Sequence, residues 1–230
     1  MFVGIATRRR SHVLWANPLL FAALWLAYLW TATRSPALRL DTEQAWGVLA
    51  GGLDSAVAWR SALTDGSLLR LVTALFLHAD WLHLLGNLVF LLIFGPPAER
   101  TMGGLRFLLL FLLGGAVANL AAVLAIGPPD NVIIGASGAV SAVIGAYLAL
   151  FPQARLGVVL PLGLFLQFVR VPAPLLIGLW ALLQVIFAYS GPRFGAVAWA
   201  AHLGGFLFGI VFALITRAAI ARRLRRQRGY

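Results

Sequence analysis

Long apolar runs separated by short polar breaks set the pattern of this chain. The first run covers residues 13–31, long enough to cross a bilayer. Further runs at 81–95 or a little beyond, 107–126 and 132–151 are separated by Pro96-Pro97 with Glu99, Arg100 and Arg106, and then by Pro128-Pro129-Asp130. The paired prolines predict the end of the second span, because proline breaks the helical hydrogen-bond ladder. Asp130 is placed to cap the fourth helix, and Asp80 lies at the membrane interface ahead of the second. Between the first two runs, residues 32–70 are more polar, with Trp46 and Trp59 positioned as interfacial anchors. Residues 156–189 are too long for one helix, and Arg170, Pro172 and Pro174 divide them. Of the two parts, 156–169 has the length of an interfacial or re-entrant segment and 173–189 that of a span. The last run is 194–215. Nothing in this pattern reads as a strand, so the expected fold is an all-α polytopic bundle.

Composition agrees. The 230 residues are 61% hydrophobic and only 11% charged, with a mean hydropathy of +0.92. A soluble domain of that length has no interior large enough for so much apolar surface. Without cysteine there is neither a disulfide framework nor thiolate chemistry. The net charge of +11 comes from arginine alone, clustered at the ends of apolar spans. That placement points to anionic lipid rather than nucleic acid. Six spans put thirteen arginines and only Glu99 on one side, with five arginines and six acids on the other. By the positive-inside rule the arginine-rich side is cytoplasmic and holds both termini, and a seventh span would export the basic tail. The expected organisation is a basic N-terminus at 1–12, a membrane domain at 13–217 and a basic tail at 218–230. An arginine-only basic set suits a bacterial inner membrane.

On this topology the second, fourth and sixth spans run in the same direction, each with its unusual polar residues near its start. His83 and Asn87, four apart, share a helix face in the second; Ser137 stands in the fourth and His202 in the sixth. Polar groups inside a membrane are costly and mark function. All lie about 10 Å below the outer surface by helical rise. Small residues supply the means of contact: Ser137, Ser141 and Gly145 line one face of the fourth span, and Ala201, Gly205 and Gly209 one face of the sixth. Their approach brings Ser137 within reach of His202, the minimum nucleophile-and-base pair. His83, Asn87 and the Ser137 backbone N–H are then placed to donate to an oxyanion.

The combination His78-x-x-x-x-His83-x-x-x-Asn87, Gly135-x-Ser137-Gly138 and Ala201-His202-x-Gly204-Gly205-x-x-x-Gly209 resembles the rhomboid intramembrane serine proteases, from about Arg70 to Ile215. The resemblance implies a six-helix fold and a Ser137–His202 dyad with no acidic third member. It also implies an oxyanion site from His83 and Asn87. Gly135, Gly138, His78, Ser141 and Gly205 fall in the surrounding motifs, with His78 in a supporting role. The implied substrates are membrane-anchored proteins cut in or next to a transmembrane helix, with membrane lipids as surroundings and no cofactor. Arg70 and Glu99-Arg100 also match the family pattern. Leu69 departs from it, and so does Ser141, which stands where some members carry a tyrosine stacked on the catalytic histidine. The Ser141 hydroxyl or Phe206 is the expected substitute for that ring.

Other chemistries fit less well. The chain has no His-Glu-x-x-His, no cysteine and no acid within the spans to complete a zinc site, so no metal is expected. It has no intramembrane aspartate pair and no paired broken repeats of the kind transporters carry. The competing reading is a catalytically inactive rhomboid-like protein that binds membrane clients. Such relatives are expected to lack the serine or the histidine.

Overall fold

The computed structural model describes residues 13–49, 55–125, 132–162, 165–190 and 199–228. In chain order, α1 (Ala16–Ala32), α2 (Pro36–Trp46), α3 (Ala56–Thr64) and the short α4 (Arg70–Thr73) precede the longer α5 (Trp81–Met102) and α6 (Gly104–Ala125). After these come α7 (Ser137–Leu150), α8 (Ala173–Ser190) and α9 (Trp199–Arg228). By length and apolarity α5, α6 and α9 suffice to cross a membrane, while α1, α7 and α8 are shorter apolar helices. Leu82, Leu85, Val89, Leu92 and Ile93 of α5 are exposed, as expected of a surface facing lipid.

Helix α7 is the centre of the molecule, with every residue from Gly138 to Tyr147 buried. It packs against α5, α6, α8 and α9. Against α9 it lies backbone to backbone. A methyl group at Gly205 would strike the Gly138 carbonyl, one at Gly209 the Ala142 carbonyl, and one at Gly145 the Phe206 carbonyl. The face that α7 turns to α9 is therefore Gly138, Ala142 and Gly145, slightly round the helix from the stripe expected at Ser137, Ser141 and Gly145. The 14 residues of α7 rise about 21 Å, short of a hydrocarbon layer of about 30 Å.

Several expectations are corrected. Helix α5 does not stop at Pro96-Pro97 but continues to Met102 with both prolines inside it. The prolines leave the Leu92 and Ile93 carbonyls without helical donors, yet the last turn is held from outside. Glu99, 2% exposed, accepts the backbone N–H groups of Trp15, Ala16 and Asn17 at 2.8–2.9 Å. One carboxylate thus caps the start of α1 and anchors the end of α5.

Strands also occur, contrary to expectation. The strands β1 (Val48–Leu49) and β2 (Val132–Ile133) pair antiparallel, as do β3 (Arg155–Leu162) and β4 (Phe165–Pro172). The segment expected to be interfacial or re-entrant is this second hairpin. Val158, Val159, Val169 and Val171 favour extended backbone, and the ladder satisfies polar groups that an irregular segment would leave bare. The fourth span becomes helical only at Ser137, with its first residues in β2. The cap expected from Asp130 lies outside the described residues. Helix α9 runs through the expected 217/218 boundary as far as Arg228.

Candidate active site

Ser137 is the first residue of α7. The N–H groups of Ser137, Gly138 and Ala139 therefore have no partner within the helix. His202 lies in the first turn of α9. Close α7–α9 packing carries its Nε2 to 2.9 Å from Ser137 Oγ, a hydrogen bond in the partly buried interior. Ser141 Oγ is turned elsewhere, donating to the Ser137 carbonyl at 2.7 Å.

The loop before Ser137 is shaped by α5 and the segment leading to it. Asp80 caps α5 by accepting the His83 N–H at 2.8 Å. That bond is the main reason its carboxyl is held below the usual carboxylate range. His78, 1% exposed, turns Nε2 toward Asn87 Nδ2 at 3.1 Å and accepts the Ala136 N–H at 3.4 Å. His78 thus ties Asn87 to the backbone immediately before Ser137. The His83 ring meets the His78 ring edge-on, with centroids 5.1 Å apart. Gly135 is required on two counts: its φ is +117°, and a Cβ there would lie 2.6 Å from the His83 ring. Neither His83 nor Asn87 is hydrogen-bonded to Ser137 itself among the described residues, although both line a cavity that reaches it. Among the described residues no third His, Cys, Asp or Glu joins these rings in a group able to hold a metal.

Three side chains that the sequence did not single out meet His202; one is Trp199, whose ring stands edge-on to the imidazole with centroids 5.7 Å apart. Gln184 Oε1, on α8, is 2.7 Å from His202 Nδ1. Trp180, one turn earlier, has its ring tilted 31° to the imidazole with centroids 6.5 Å apart. The rings beside His202 are those of Trp180 and Trp199 rather than the expected Ser141 or Phe206, and Phe206 packs edge-on against Trp180 at 5.8 Å. An amide in the otherwise apolar run 173–188 was the available signal for Gln184. Arg39 was missed as well; it pairs with Glu43 at 3.3 Å and donates to the His78 and Ala79 carbonyls, fastening α2 over the site.

Ser137 and His202 stand between two cavities. One, of about 500 Å³, carries polar groups from Glu43, Asn119 and His83. The other, of about 230 Å³, is lined by His83 and Asn87 together with Leu82, Phe90, Ile144 and Trp180, and faces the cleft between α5 and α8.

The same residues fall inside a known family. The rhomboid domain family model matches residues 65–219. Rhomboid-like protein 11, chloroplastic, of Arabidopsis thaliana is 36% identical over 146 residues, 62% of this chain and 50% of that protein. The rhomboid protease GlpG of Haemophilus influenzae is 29% identical over 153 residues, 66% and 71% of the two chains. Rhomboid-like protease 3 of Toxoplasma gondii is 39% identical over 92 residues, 40% and 34%. The chain spans about half the length, or less, of the first curated relatives it matches. The matched region runs from the end of α3 into α9 and takes in both residues of the Ser137–His202 contact, all of α5 and all of α8. The chain belongs to the rhomboid family, which consists mostly of intramembrane serine proteases and includes inactive members.

Proposed function

We propose that this chain is an intramembrane serine endopeptidase that cuts membrane-anchored proteins within or beside a transmembrane segment. The observation that carries the reading is the 2.9 Å contact between Ser137 Oγ and His202 Nε2 at the start of a buried helix. Ser137 Oγ attacks the scissile carbonyl carbon while His202 Nε2 takes its proton. The negative charge on the carbonyl oxygen is met by the Ser137 N–H, His83 and the second amide hydrogen of Asn87. His202 then gives its proton to the leaving amine as the C–N bond breaks. Water attacks the acyl-enzyme, again losing a proton to His202, and frees Ser137. The chemistry calls for no cofactor.

The two cavities suit the two reactants. Water enters through the polar cavity beside Glu43 and Asn119. The substrate segment approaches from the apolar side, between α5 and α8. A substrate helix has its carbonyls bonded internally, so the scissile stretch must unwind before attack, and substrates with helix-breaking residues there are preferred. The N-terminal arginines and the basic end of α9 hold both termini at the cytoplasmic surface of a cell membrane. The domain limits proposed from the sequence stand on the same reading, with α9 carrying the tail as a continuous helix.

The test is cleavage of a membrane-anchored reporter in liposomes by wild type, Ser137→Ala and His202→Ala, each verified as folded by thermal melting. Cleavage by wild type and by neither variant is expected. Cleavage that survives Ser137→Ala contradicts the mechanism. Reporter binding without cleavage by any form favours the client-binding alternative.

A further inference from the structure

Gln184 is the one polar side chain in residues 173–188 of α8, and it is buried at 6% exposure. An amide in such surroundings needs partners for both ends of its dipole. It has them. Its Nε2 donates to the Trp180 carbonyl at 3.4 Å, one helical turn back. Its Oε1 faces His202 Nδ1 at 2.7 Å.

The direction of every bond in this chain follows from its far end. A backbone carbonyl only accepts, so the amide must present its NH2 group to Trp180. Its carbonyl oxygen is thereby turned to His202, and an amide oxygen also only accepts. Nδ1 of a neutral His202 must then carry the hydrogen. Nε2 is left bare, facing Ser137 Oγ at 2.9 Å. Granting the Ser137–His202 reading above, we propose that Gln184 is the positioning residue of that pair. Through a bond polarity set by the Trp180 carbonyl, it holds His202 in the Nδ1–H tautomer and in the ring orientation that lets Nε2 take the serine proton. A neutral amide does this without placing a second charge in the apolar layer, where an unmatched carboxylate is strongly disfavoured.

The experiment uses the full chain with 15N-labelled histidine in lipid bilayers near neutral pH, with His202 resonances assigned by difference from His202→Ala. Wild type is expected to show hydrogen on Nδ1 of His202; hydrogen on Nε2 overturns the proposal without recourse to any variant. Gln184→Leu, checked as folded by thermal melting, is expected to show the other tautomer or a mixture. Its kcat on the reporter should fall about tenfold to a hundredfold, with KM within about twofold because Gln184 does not touch the substrate. Gln184→Glu, which keeps an acceptor oxygen at the same reach, is expected to restore the Nδ1–H signal and most of kcat. Wild-type tautomer and kcat in Gln184→Leu contradict the proposal, as does equal loss in the Leu and Glu variants. The nitrogen spectrum does not depend on turnover. A wild-type chain that fails to cleave while showing Nδ1–H counts against the proteolytic reading and leaves the proposed polarity supported.

Discussion

Ser137 and Ser141 are two hydroxyls one turn apart on the same buried helix, and their surroundings separate them. Ser141 returns its hydrogen to the Ser137 carbonyl, the usual way a serine is satisfied inside a membrane helix. Ser137 meets an imidazole instead. Ser141→Ala is accordingly expected to leave reporter cleavage within about twofold of wild type, because it removes a local helix bond that nearby backbone replaces. Asn87→Ala is expected to lower kcat about a hundredfold, as loss of an oxyanion donor does elsewhere, with a smaller effect on KM. Steady-state kinetics on both variants check the contrast. The sequence drew attention to Ser137, His83, Asn87 and His202 because each is a polar group in an apolar run. Gln184 satisfies the same criterion but lies in the run 173–189, outside the three like-directed spans and outside every motif, so nothing in the sequence ties it to the other four. His78 is expected in a supporting role from the sequence, but its partners, Asn87 and the Ala136 N–H, are brought to it only by the folded loop.

The elements hold these residues through their ends and their glycines. Asp80 caps α5 and thereby sets the position of His83. Accepting the His83 N–H favours the charged carboxylate, so its folded pKa lies below the unfolded one. The stability it contributes is present above the unfolded value, about pH 4, and is lost as pH falls through the folded value. Asp80→Asn keeps a capping oxygen without a proton to gain. Thermal melts between pH 6 and 3 are expected to show an acid-induced loss in wild type that is smaller in this variant. Gly209 meets the Ala142 backbone carbonyl, which no rotamer change can move, whereas Gly178 on α8 has open space. Gly209→Ala is thus expected to destabilise the fold by about 1–3 kcal/mol, and Gly178→Ala to be neutral or slightly stabilising. The sequence read the glycine stripe of α9 correctly but placed that of α7 slightly off, because Ser, Ala and Gly are all small and only packing chooses among them. It stopped α5 at Pro96-Pro97 because local helix rules know nothing of Glu99 reaching back to α1. The β3–β4 hairpin escaped because its valines lie in a run as apolar as any span.

At the scale of the molecule, helix lengths account for where chemistry is possible. Helix α9, with 30 residues, is about 45 Å long, more than enough to cross an apolar layer of about 30 Å, while α7 falls short of crossing it. On the proposed function, the short helix puts the serine inside the membrane but near a surface, where water and an unwound substrate can both arrive. Hydropathy was enough to read the membrane class and most helices, and family motifs pointed to the pair. The cavity beside Glu43 and Asn119 could not be read, since its walls come from α2, α6 and β2, segments far apart in the sequence. The most direct measurement is the site of covalent capture: reconstituted protein treated with a serine-reactive organophosphonate, then mapped by peptide mass spectrometry. One adduct is expected, on Ser137, and it disappears in His202→Ala. An adduct on Ser141 or another serine, or undiminished labelling of Ser137 without His202, contradicts the proposed mechanism.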